Sequence, residues 1–149
     1  MKELKIEWQR LTADGETCTR CGGTEAELEQ AVSNLKDSLK TLGVKVNLNK
    51  EKISEEEFKN SPLKSNMIEI NDKPLEEWVN GETGASECCE ICAPNDCRTI
   101  TVEGETYEKI PASLIIKGGL AAASDMISEI SKTSGSSCCE ETVSDSGCC

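Results

Sequence analysis

Residues 2–48 read KELKIEWQRLTADGETCTRCGGTEAELEQAVSNLKDSLKTLGVKVNL, and the fold follows from how the apolar period changes along them. From Lys2 to Leu11 the chain alternates. Leu4, Ile6 and Trp8 share one face and Lys5, Glu7 and Gln9 the other, which is the pattern of a half-buried strand. Thr12 to Gly23 is a polar loop that holds Cys18-Thr19-Arg20-Cys21 and then Gly22-Gly23. From Thr24 the period turns helical: Leu28, Val32, Leu35, Leu39 and Leu42 recur with Ala31 beside them. Thr24 and Glu27 have the capping-box spacing, and Gly43 falls where a C-cap glycine belongs. Val44, Val46 and Leu48 then alternate again. Strand, helix and strand in this order predict a parallel pair joined by a right-handed crossover.

Outward from this unit the signals are shorter. Ser54, with Glu57 three residues on, predicts a short capped helix to Asn60, and Met67 to Asn71 reads as a third strand ended by a turn at Asn71-Asp72-Lys73-Pro74. Pro74 to Val79 starts a short helix or arm around Trp78. Gly81 to Asp96 reads as a cysteine-bearing loop, Arg98 to Val102 as a strand, and Glu103-Gly104-Glu105 as a turn into Thr106-Tyr107. Pro111 opens a helix to Ser131, with Gly118-Gly119 in its middle allowing close packing or a kink. Thr133 to Cys149 has one large aliphatic residue, Val143, and predicts a disordered tail.

Composition excludes several functions. Sixteen Lys and Arg face 28 Asp and Glu, a formal charge of −12, which repels nucleic-acid phosphates and anionic membrane surfaces. There is no histidine, so Ser-His-Asp and Cys-His catalysis and histidine-ligated metal sites drop out. The four aromatics, Trp8, Phe58, Trp78 and Tyr107, imply a small aliphatic core. Neither a signal peptide nor a membrane span is legible, and the expected location is cytoplasmic. Ten cysteines in a reducing compartment point to metal or redox chemistry ahead of a static disulfide framework.

The cysteines fall into three groups. Cys18 and Cys21 stand just ahead of the predicted helix, whose unsatisfied N–H groups stabilise a thiolate, and Arg20 adds positive charge. Cys18 is the candidate attacking thiolate and Cys21 the resolving thiol; half of a soft-metal site is the other functional reading. Cys88, Cys89, Cys92 and Cys97 bring four thiols into ten residues, enough for one tetrahedral ion or a stapled loop. In the tail, Cys138-Cys139 and Cys148-Cys149 are pairs whose closed rings would be strained as disulfides but which can present two thiolates to one soft ion.

A Cys-x-x-Cys between a first strand and a first long helix resembles the thioredoxin superfamily, as does the segment Ser65 to Lys73. In that superfamily a cis proline normally precedes the third strand and faces the cysteines. Here Asn66 stands near that position and the nearest proline is Pro62. Residues 2–131 are also similar to an uncharacterised prokaryotic family of small cysteine-containing domains, domain-of-unknown-function family 2703. The shared pieces are Cys18-Thr19-Arg20-Cys21, Ile68-Glu69-Ile70-Asn71, Glu76-Glu77-Trp78, the second cysteine group and Tyr107-Glu108-Lys109-Ile110-Pro111.

The expectation is therefore an α/β fold: a thioredoxin-like mixed sheet flanked by helices over residues 1–132, a cysteine-rich insertion at 81–97, and the tail at 133–149. The leading functional expectation is thiol-based binding and transfer of a soft metal or metalloid ion, zinc, copper(I), arsenic(III) or mercury(II), with the second group and the tail as ligands. A thiol–disulfide oxidoreductase using Cys18 and Cys21 is the alternative, and a structural zinc domain for protein contact is the next. Expected partners are the ion or a thiol/disulfide protein, with neither nucleic acid nor membrane insertion.

Overall fold

The computed structural model describes residues 2–12, 19–87 and 96–133. Cys18, Cys88, Cys89, Cys92, Cys138, Cys139, Cys148 and Cys149 lie outside the described residues.

The first strand is β1 (Lys2–Leu11), with Leu4, Ile6 and Trp8 completely buried as their alternation requires. Helix α1 (Thr19–Lys40) leads into β2 (Val44–Ile53), which pairs with β1 in parallel along its whole length. Short α2 (Glu55–Asn60) is capped by Ser54, whose hydroxyl accepts the Glu57 N–H at 3.1 Å. A single 3-10 turn (Pro62–Lys64) then precedes β3 (Met67–Ile70), antiparallel to β1. The two-residue strand β4 (Lys73–Pro74) completes a mixed sheet ordered β2-β1-β3-β4. Asn71 and Asp72, with φ of 51° and 64°, make the tight β3–β4 turn, whose left-handed pair matches strand twist.

Helix α3 (Leu75–Trp78) connects to a second, antiparallel sheet of β5 (Glu82–Ser86), β6 (Cys97–Val102) and β7 (Glu105–Tyr107). The stretch read as a loop from Gly81 thus contains a strand. β5 is Glu-Thr-Gly-Ala-Ser, with no apolar alternation, and it is held by pairing with the buried β6. Helix α4 (Ala112–Thr133) ends the described chain.

The N-terminal boundary of α1 differs from the sequence expectation. The helix starts five residues before Thr24, so Cys21, Gly22 and Gly23 lie inside it. Thr24 and Glu27 do cap, but not their own helix. The Thr24 hydroxyl accepts the Ile110 N–H at 3.1 Å and Glu27 Oε2 accepts the Ala112 N–H at 3.2 Å. Pro111 between them has no N–H, so one helical turn of α1 satisfies both donors on the chain entering α4. Leu42 departs as well: it sits in the turn after α1 and is 58% exposed, outside the apolar stripe.

The shared start makes α1 and α4 parallel. Gly119 lies against Leu35 and Gly118 against Leu75 and Ile70, so the glycine pair serves close packing. The apolar face of β1 is covered from this side; the opposite face carries Lys5, Glu7, Asn47 and Asn49 around a shallow cavity of about 260 Å³.

On β1 and β3, Glu7 stands directly opposite Glu69. Burial, then the charges of Glu7 and Asp72, raise the Glu69 pKa above its ordinary 4.5. A raised carboxyl favours its protonated form in the fold. Its contribution to stability is present below pH 4.5 and is lost as pH rises through the raised value. Glu69→Gln is therefore expected to stabilise the protein at neutral pH by a few tenths to about 1 kcal/mol. The gain should vanish near about pH 3.5, where both forms are neutral. Urea unfolding at the two pH values measures it, and a gain that persists in acid would show that the repulsion is not its source.

Candidate functional site

Cys21 is buried in the first turn of α1, with its Sγ 3.7 Å from the hydroxyl of Ser65. Ser65 comes from the loop before β3, 44 residues away in sequence. Its hydroxyl also accepts the N–H of Leu11 at the end of β1, at 3.2 Å. The same oxygen thus ties β1, the loop and the cysteine together, and its one proton remains to be shared with sulfur.

Asn66 fixes the loop. Its φ is +64°, a left-handed conformation that Asn tolerates better than most side chains. Its amide is completely buried, accepting the Trp8 indole N–H at 3.2 Å and donating to the Glu108 carbonyl at 3.2 Å. The loop is held between β1 and the 108–110 segment that leads into α4. The same segment brings Lys109 over the helix start: a Cβ at Gly23 would fall 3.0 Å from Lys109 Cγ. Gly23 leaves room for this stem. The Lys109 stem thus packs against the start of α1, two residues along the chain from Cys21.

The second cysteine group enters only through Cys97, which is buried at the start of β6. It pairs in register with Ser86, the last residue of β5. The ten residues between them, which carry Cys88, Cys89 and Cys92, therefore begin and end on neighbouring strands. Ser86 also donates to the Glu108 carboxylate at 3.2 Å. Glu108 thus touches the hairpin mouth with its side chain and the Ser65-Asn66 loop with its carbonyl. Among the described residues no group of three or more His, Cys, Asp or Glu side chains is arranged to hold a metal.

Ser65 and Asn66 are legible as neighbours of the cysteines only through the thioredoxin resemblance. Glu108 and Lys109 belong to a stretch shared with the resembled family, but nothing local to them marks their approach to the start of α1 at Gly23. Arg98 and Glu76, buried partners described below, have no local signature because 22 residues separate them.

The family model of a domain of unknown function, DUF2703, matches residues 4–119. The chain belongs to the DUF2703 family. The match takes in Cys18, Cys21 and the whole second cysteine group, and it leaves out the four cysteines of the tail. An uncharacterised protein of the archaeon Archaeoglobus fulgidus is 37% identical over 113 residues, which is 76% of this chain and 82% of the relative. No solved structure matches this DUF2703 chain. None of the helices among its described residues is long and apolar enough to cross a membrane.

Proposed function

We propose that this DUF2703 protein is a thiol–disulfide exchange protein of a reducing compartment, with Cys18 as nucleophile and Cys21 as resolving thiol. The observation that carries the reading is the burial of Cys21 in the first turn of α1 against the Ser65 hydroxyl. A spacing of three residues at a helix start suits a disulfide, because residues i and i+3 are neighbours on one face. The sheet order β2-β1-β3-β4, with β1 parallel to β2 and antiparallel to β3, also supports a thioredoxin-like arrangement, with Asn66 at the proline position.

The steps balance as follows. The Cys18 thiolate attacks one sulfur of a substrate disulfide and releases the other as thiolate. Cys21, deprotonated, then attacks Cys18 Sγ, closing the Cys18–Cys21 disulfide and releasing the second substrate thiolate. The protein loses two electrons, the substrate gains them, and a dithiol partner resets the pair. Ser65 serves the second attack: its O–H donates to the Cys21 thiolate while its lone pair keeps the Leu11 N–H.

The test uses the full reduced chain with oxidised glutathione, and peptide mapping follows each cysteine. Cys18→Ser abolishes formation of the Cys18–Cys21 disulfide, and Cys21→Ser traps glutathione on Cys18. Ser65→Ala slows resolution about tenfold at neutral pH by moving the midpoint of its pH profile up about one unit, with an unchanged alkaline plateau. Cys18→Ser protein that exchanges at the unaltered rate through other thiols would overturn the reading.

A second reading is favoured by the Ser86–Cys97 register. Cys88, Cys89 and Cys92 fall in the ten residues between that pair, and with Cys97 they offer four thiols within ten residues to one thiophilic ion, zinc, copper(I), arsenic(III) or mercury(II). Native mass spectrometry of anaerobically purified protein tests it: bound mass lost on Cys92→Ser supports chelation, and a metal-free reduced mass that takes up neither zinc nor arsenite excludes it.

A further inference from the structure

We propose that the groove between the C-terminal half of α1 and the edge strand β2 docks the chain's own acidic C-terminal segment, residues 140–145. The groove has a volume of about 320 Å³ and is lined by Lys36, Lys40, Val44, Lys45 and Val46. In a chain of net charge −12, three lysines around two valines make a local basic site with an apolar floor. The other half of the α1–β2 seam is closed differently, by Lys50 bridging Glu25 and Glu29.

The occupant follows from charge and from where α4 ends. Residues 134–149 contain Glu140, Glu141 and Asp145, no Lys or Arg, and one large aliphatic residue, Val143, between the acids. An apolar side chain flanked by carboxylates complements valines flanked by ammonium groups. Among the described residues β2 pairs only with β1 and is the edge of its sheet, so an extended segment can add along its free side.

Helix direction delivers the segment to this end. Glu27 meets Ala112 and Leu35 meets Gly119, so α4 runs parallel to α1 with a constant offset. Thr133 then lies about 13 Å beyond the level of Lys40, at 1.5 Å per residue. Ten further residues to Val143 reach about 33 Å at most, enough to round the end of α1 and return to the groove.

Docking there has a consequence for the thiols. Cys21 is separated from Lys40 by most of α1, about 28 Å. A docked tail holds Cys138-Cys139 and Cys148-Cys149 at the far end from Cys21, so exchange between them passes from one molecule to another. The dock does not depend on which chemistry Cys18 and Cys21 perform.

Zero-length carbodiimide crosslinking of the full reduced chain tests the proposal, using an equal mixture of isotope-labelled and unlabelled protein. The expected links join Lys36, Lys40 or Lys45 to Glu140, Glu141 or Asp145 and are isotopically pure. Their yield falls at least fivefold in the Val143→Ser variant, which keeps every lysine and carboxylate that the links need. High salt lowers it in the unsubstituted protein, a control that needs no variant to fold. Mixed-isotope links would assign the groove to a second copy and overturn docking within one chain. Tail links spread evenly over all lysines, or none at all, would overturn the dock itself.

Discussion

Arg98→Ala is expected to cost about 3–5 kcal/mol, enough to leave a domain of ordinary stability largely unfolded. Arg98 on β6 is only 7% exposed and Glu76 on α3 only 4%. The guanidinium donates from Nε to Glu76 Oε2 at 2.9 Å, again to Oε2 from Nη2, and from Nη1 to the Leu63 carbonyl at 2.7 Å. Thr83 Oγ1 adds a bond of 2.6 Å to the same carboxylate oxygen, while Oε1 is buried with no hydrogen-bond partner among the described residues. Truncating the arginine therefore strands a buried carboxylate that is already incompletely satisfied. It also frees the second sheet from α3 and from the 3-10 turn. The loss comes from the stranded charge more than from the net value of the pair, so Arg98→Met combined with Glu76→Leu should recover most of it. Urea unfolding followed by tryptophan fluorescence measures both. A single-variant loss below about 1 kcal/mol would mean that water reaches Glu76 and the pair behaves as a surface one.

The second large effect is Gly119→Val, expected to destabilise by about 3 kcal/mol. A Cβ at Gly119 would meet Leu35 Cδ1 at 2.5 Å and Cδ2 at 2.9 Å, inside the packed seam of α1 and α4. Overpacking of this kind costs roughly 1–3 kcal/mol, and the branched side chain adds a rigid χ1 that cannot turn away. Gly119→Ala recovers about 1 kcal/mol through helix propensity and should be the milder change. Leu35→Ala opens the space that valine needs, so the double variant should be less destabilised than the sum of the two single changes. Strict additivity in thermal or urea unfolding would show that the glycine serves something other than this contact.

Much of the fold was legible because it depends on local periodicity. The alternation of Leu4, Ile6 and Trp8, the helical run to Leu39, and the return to alternation at Val44 each report which side of an element meets a core. The Ser54 cap is a contact within four residues, and it stands where the sequence puts it. The Thr24-Glu27 pair misled for the same reason. Its spacing is that of a cap, but the donors it satisfies belong to Ile110 and Ala112, and no local pattern distinguishes a helix's own N–H groups from a distant segment's. β5 was hidden because a strand without apolar alternation owes its conformation to its neighbour.

By itself the sequence determined the chemistry available, thiols and carboxylates without histidine, and the strand–helix–strand unit in which the Cys18-x-x-Cys21 motif falls between the first strand and the body of the first long helix. Only the tertiary structure decided what surrounds that pair: Ser65 on the Cys21 sulfur, Asn66 locked between Trp8 and Glu108, and the two parallel helices that separate Cys21 from the lysine groove. Composition and period are written along the chain, whereas these contacts join residues 42 to 58 positions apart and exist only once the core has closed.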